Sequence, residues 1–175
     1  MKTFTAVAIC LVLASPAIAE TVGEKTGVNS LLGNSPTTQD FVTEAAISDM
    51  FEIQSSKLAQ EKKDAKADDF AKKMIADHTT STDAIKTMVQ GGKVKAEIPA
   101  SLDSKHQGMI DKLKGLNGDD FEKQYRSDQI SGHKTTVDLY KRYAKGGDNA
   151  DLKAFAEKTL PIVEHHQKMA EDLAK

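Results

Sequence analysis

From Gln39 onward, apolar side chains recur at three- and four-residue steps in four long windows, and the alternation typical of strands is absent. This pattern predicts four amphipathic helices, over about 39–63, 67–90, 119–146 and 149 onward. Gly91-Gly92 and Gly146-Gly147 end the second and third of them. The chain is therefore predicted to be all-α.

The lengths of the connections predict how these helices are arranged. The first and last pairs are joined by only a few residues, so each pair forms an antiparallel hairpin. Nearly thirty residues join the second helix to the third, and they include a short helix expected from Pro99 to Leu113. One long crossover of this kind predicts a ferritin-like antiparallel four-helix bundle over residues 39–175, with an extra helix in the crossover.

Two local features refine this expectation. Asp119 and Glu122 have the spacing of a capping box at the start of the third long helix. Pro161 lies inside the fourth, where it removes a backbone hydrogen bond and is expected to kink the helix just before His165 and His166.

The N-terminal residues have the pattern of a secretory signal peptide over residues 1–19. Lys2 is followed by an apolar stretch and by the small-residue cleavage sequence Ala17-Ile18-Ala19. The apolar stretch is shorter than the roughly 20 residues of a transmembrane helix. Residues 20–38, rich in Gly, Ser, Thr and Asn, are expected to be a flexible leader. The predicted location is the periplasm or the outer-membrane surface, with no transmembrane segment in the mature chain.

Charge and cysteine content narrow the function classes. The full chain has 24 basic and 26 acidic residues, a formal charge of −2, with opposite signs interleaved along the helices. That balance excludes the basic surface of a nucleic-acid-binding protein. Cys10, the only cysteine, lies within the predicted signal peptide, and no nucleophile–base spacing or phosphate-binding loop occurs. The sequence thus indicates no catalytic residues and favours a protein without enzymatic activity.

Each long helix carries one potential metal ligand within its apolar stripe. Counting residues from the connecting turns places these side chains near mid-helix, and the one in the fourth helix lies about one turn nearer one end. Three imidazoles and one carboxylate make a complete four-coordinate set for zinc, copper or iron. The candidate ligands are Glu52, His78, His133 and His166.

The same four residues have a second interpretation that needs no metal. Buried histidines are commonly satisfied by protein groups, so the cluster can be a hydrogen-bonded network, with His78 bonded to Glu52, that fixes helix register. The two interpretations lead to different functions. One is a metal-binding bundle in the periplasm, and the other is a structural or stress-related envelope protein without a ligand.

Several segments carry a family resemblance that covers about residues 40–173. They are FVTEAAISDMFEIQSSKLAQ, FAKKMIADH, FEKQYRSDQISGH and LKAFAEKTLPIVEHH. Together they closely resemble the bacterial exported family called domain of unknown function 4142. The resemblance implies a ferritin-like bundle, often labelled a putative outer-membrane or periplasmic protein, and matches the family's histidines to His78, His133 and His166 and its first-helix acid to Glu52. It implies no established activity.

The di-iron centres of ferritin-like proteins need a Glu-x-x-His pair on each of two helices. The residues three positions before the candidate histidines are instead Ile75, Ile130 and Val163. A di-iron centre is therefore not expected.

Overall fold

The computed structural model describes residues 21–25 and 27–173, and this part of the chain is helical with no strand. Its helices are α1 (Val22–Lys25), α2 (Val28–Leu32), α3 (Thr38–Glu61), α4 (Asp68–Gln90), α5 (Ser104–Gly115), α6 (Gly118–Gly146) and α7 (Ala150–Leu173). The four long helices α3, α4, α6 and α7 match the four predicted windows. The predicted all-α class is confirmed.

The four long helices pack side by side with antiparallel neighbours. Helix α3 contacts α4 and α6, and α7 contacts α6 and α4. Along the α3–α6 interface, Ser48 bonds to Thr136 and Ser55 to Gln129, so numbers rise along one helix as they fall along the other. Since α3 is antiparallel to both α4 and α6, the latter two helices are parallel, and their connection travels back along the bundle.

That connection contains α5, which packs against α3. The short helix was expected to open at Pro99, but it begins at Ser104. The Asp103 side chain accepts a hydrogen bond from the backbone N–H of His106 and so caps the helix at this later position.

The apolar stripes form two core clusters separated by a polar layer. One cluster includes Phe41, Tyr140 and Leu152, and the other includes Phe70 and Met74. Between the clusters lie buried polar side chains from all four long helices, namely Asp49, Glu52, His78, His133 and His166. Burial of this layer between two apolar clusters removes its groups from bulk water and strengthens their mutual electrostatic interactions.

The predicted capping box differs in the structure, and Pro161 lies inside the fourth long helix as expected. Helix α6 begins at Gly118 with Asn117 as its N-cap residue, one position before the expected start, so the capping box at Asp119 and Glu122 is not formed. Helix α7 continues through Pro161 from Ala150 to Leu173. Packing of α7 along α6 and α4 holds both flanking turns, which sustains the helix across the missing backbone bond.

The segment expected to be a flexible leader contains α1 and α2 and contacts the bundle. Glu24 is buried and forms an ion pair with Arg142 of α6, which also donates to the backbone carbonyl of Asn34. Thr21 donates its backbone N–H and its hydroxyl to the Asp40 carboxylate, at 2.8 Å each. An ion pair between residues more than a hundred positions apart produces no periodic pattern in the sequence. The hydrophobic pattern therefore could not predict that this segment contacts the bundle.

None of the helices described by the structure has the length and apolar character needed to cross a membrane.

Candidate metal centre

Three buried histidines meet in the polar layer, one from each of α4, α6 and α7. His78, His133 and His166 are each at most 2 % exposed. One nitrogen from each ring lies within 4.8 Å of the corresponding nitrogens of the other two. The three ring centroids are 5.4 to 5.7 Å apart, so the imidazoles surround a common point.

The outward-facing nitrogen of each ring has a hydrogen-bond acceptor. His78 Nδ1 lies 2.7 Å from Asp49 Oδ1, and His166 Nε2 lies 2.8 Å from Asp77 Oδ2. His133 Nδ1 lies 2.8 Å from the Gln129 backbone carbonyl oxygen. Because a carbonyl and an ionised carboxylate only accept hydrogen bonds, each outward nitrogen carries the proton and donates it.

This pattern fixes the chemistry of the inward-facing nitrogens. In a neutral imidazole with one nitrogen protonated, the other presents a lone pair. The inward atoms are His78 Nε2, His133 Nε2 and His166 Nδ1, and none has a hydrogen-bond partner among the described residues. When all three rings are neutral, three lone pairs converge in a buried position without a donor, which is the arrangement of histidines that ligate a metal and are oriented by their other nitrogen.

The spacing of these nitrogens suits a single transition-metal ion. Points no more than 4.8 Å apart have a common centre within about 2.8 Å of each, since 4.8 divided by √3 is 2.8. Zinc–nitrogen bonds are about 2.0–2.1 Å long. An inward shift of about 0.7 Å per nitrogen, well within the range of small side-chain rotations, brings all three to bonding distance.

The electrostatic environment keeps two of the rings neutral. Burial, together with the nearby charge on His78, lowers the pKa of His133 to about 3 and that of His166 to about 4. Burial also acts to lower the pKa of His78, but the Asp49 carboxylate, reinforced by Glu52 and Asp77, outweighs it and raises that pKa. His133 and His166 are thus available as neutral ligands at physiological pH.

Comparison with known proteins identifies the family of this chain. The model of the family described as "Domain of unknown function (DUF4142)" matches residues 24–173. The chain belongs to the DUF4142 family. No curated protein and no solved structure matches it.

In this DUF4142 protein, Glu52 lies beside the histidine cluster. Its Oε1 is 3.8 Å from His133 Nδ1, the outward nitrogen of that ring. Burial raises the pKa of Glu52 to about 7. Gly132 leaves room for this carboxyl, because a Cβ at position 132 would lie 3.1 Å from Oε1. The fourth candidate ligand therefore flanks the cluster that the three histidines form.

Sequence reasoning missed the two carboxylates that orient the histidines. Asp49 was not assigned to a site, and the bond expected between His78 and Glu52 is made to Asp49 instead. Asp77 directly precedes His78 in the sequence, yet it accepts a hydrogen bond from His166 across the α4–α7 interface. It also forms an ion pair with Lys73. An available signal was Asp49 itself, an acid three residues before Glu52 and thus near the same face of α3.

Sequence counting placed His166 about one turn from the other candidates, but the structure brings it into the cluster. His133 lies 13 residues before Gly146, the end of α6, and His166 lies 16 residues after Ala150, the start of α7. Helical side chains lean toward the N-terminus of their own helix. The His133 side chain therefore points away from the α6–α7 turn and that of His166 points toward it. These opposite directions compensate for the three-residue difference in their distances from the turn.

Proposed function

We propose that this DUF4142 protein is an exported protein with a ferritin-like helical bundle that binds one divalent transition-metal ion in its core. The ligands are His78 Nε2, His133 Nε2 and His166 Nδ1. The proposal rests on the observation that all three inward nitrogens are buried without a hydrogen-bond partner among the described residues, while each outward nitrogen is held by an acceptor. The parallel α4 and α6 with a crossover between them support the ferritin-like connectivity.

The ligand set favours zinc or copper. Imidazole nitrogen suits zinc, copper, iron and nickel, and for a given site the divalent copper and zinc ions are among the tightest binders. Carboxylates on the outward nitrogens of His78 and His166 form the carboxylate–histidine–metal arrangement that raises ligand basicity, and a backbone carbonyl takes that place at His133. The cluster assembles three nitrogens about one point, which supports a single ion and not a di-iron pair.

The competing function is a structural envelope protein in which the cluster binds nothing. If His78 takes a second proton, its Nε2–H can donate a hydrogen bond to the inward nitrogen of either His133 or His166. The lone pair on the remaining ring then has no donor. A buried acceptor without a partner costs about 1–3 kcal/mol. A metal ion engages all three lone pairs at once, so the geometry supports metal binding over the network.

The adjacent histidines of α7 supply a matched test of metal binding. His166→Ala is expected to lower zinc or copper uptake from about one ion per chain to near zero at micromolar metal, because it removes one of three ligands. His165→Ala is expected to retain full uptake, since that side chain is exposed and outside the cluster. Elemental analysis after dialysis, with circular dichroism to verify the fold, makes the measurement. Equal uptake by the two variants would contradict the assigned site.

Export rests on the signal-peptide pattern of residues 1–19. Signal peptidase is expected to cut after Ala19, because Ala17 and Ala19 satisfy the small-residue requirement. Mass spectrometry of protein from the cell envelope should find Glu20 at the N-terminus. A chain recovered there with Met1 intact would contradict the proposal.

A further inference from the structure

A cavity of about 170 Å³ between α4 and α7 reaches the histidine cluster. His78 and His166 form part of its wall, together with their carboxylate partners Asp49 and Asp77. The remainder of the wall consists of apolar and small polar side chains, including Ala84, Phe155, Ile162 and Val163, and of one basic side chain, Lys158. Two of the three proposed ligands therefore face a space large enough for a small molecule.

The coordination chemistry gives this cavity a role. A zinc site with three protein ligands keeps a further position open for water or an exogenous ligand, whereas structural sites are closed by four. The open position must lie where protein atoms do not fill the space, and the cavity supplies that space beside His78 and His166. A molecule in the cavity would lie beside two of the three proposed ligands.

Charge and surface indicate which ligand fits. The wall has two carboxylates, Asp49 and Asp77, against one ammonium group, Lys158, so its net negative charge offsets part of the positive charge of a divalent ion. Phe155, a half-buried aromatic side chain in the wall, offers a face for stacking. Cavities of about 150 Å³ accept a single benzene ring in a protein core. These features favour a neutral ring with one nitrogen donor over a small anion.

We propose that the metal-loaded protein binds a small, neutral, nitrogen-donor ring molecule in this cavity, at the open coordination position of the ion. This inference rests on the proposed metal site. It assigns the cavity between α4 and α7 as a ligand-binding site and adds Ala84 and Phe155 as residues that shape its specificity.

Cobalt(II) replaces zinc as a visible probe of coordination in the test. Imidazole added to the cobalt-loaded full-length protein is expected to change the d–d absorption spectrum with saturation at one equivalent per ion. Azide, a small anion, is expected to need at least tenfold higher concentration. Metal content is measured on the same samples, so loss of the ion is distinguished from ligand binding.

Variants of α4 locate the binding site. Ala84→Leu projects three extra carbons into the cavity and is expected to keep the cobalt content while weakening imidazole binding at least tenfold. Ala76→Leu is the control, since Ala76 is exposed on the same helix and does not line the cavity. An unchanged spectrum in protein with one cobalt per chain would overturn the ligand site alone, as would equal imidazole affinity in both variants or tighter binding of azide. Failure of the wild-type protein to bind cobalt, zinc or copper would instead overturn the metal site, and this inference with it.

Discussion

Removing the metal ion from the loaded protein is expected to lower its melting temperature by on the order of 10 °C. A ligand that binds only the folded state stabilises it by about 4 kcal/mol when its free concentration is a thousand times its dissociation constant. For a domain of this size, each kcal/mol corresponds to a shift of about 2–4 °C. The three ligands come from α4, α6 and α7, so the unfolded chain does not preserve the site.

Calorimetry of the protein before and after chelation measures this shift. The His165→Ala variant should show the same shift as the wild-type protein, whereas His166→Ala should melt at one temperature with or without metal. Metal-free and metal-treated wild-type samples that melt together would contradict the proposed function and favour the hydrogen-bonded network.

The hydrophobic pattern was sufficient to predict the long helices and their buried faces. In α6, for example, the spacing of Phe121, Tyr125, His133 and Tyr140 puts them on one face of a helix, and all four are buried. A buried helix face requires apolar residues at a fixed spacing along the sequence, so one sequence is enough to predict it. The same argument placed a histidine of each of α4, α6 and α7 in the core.

The pairing of polar groups within the core was not predictable in the same way. The hydrogen-bond acceptor of His78 depends on side-chain rotamers and on small axial offsets between helices. In the structure this acceptor is Asp49. The tilt of side chains toward the N-terminus of their helix, which brings His166 level with His133, has the same effect. It shifts a side chain along the helix axis by about the length of a hydrogen bond. Helical periodicity resolves the face on which a residue lies, but not its partner.

The structure also separates two phenylalanines that the sequence pattern treats alike. Both Phe70 and Phe155 fall on the apolar stripes of their helices, and by that pattern alone truncation of either is predicted to cost about 3–5 kcal/mol. Phe70 is 3 % exposed and contacts the rings of Tyr125 and His133. Phe155 is half-buried and lines the cavity beside the histidine cluster.

Phe70→Ala is therefore expected to lower the free energy of unfolding by about 3–5 kcal/mol, since it leaves a closed space between α4 and α6 that neighbouring side chains fill only in part. Phe155→Ala is expected to cost less, about 1–2 kcal/mol, because its ring buries only part of its apolar surface. Urea unfolding of both metal-free variants measures the difference, and omitting the metal keeps loss of the ion from contributing. Equal costs would show that Phe155 is a core residue, which would remove one wall from the proposed ligand cavity.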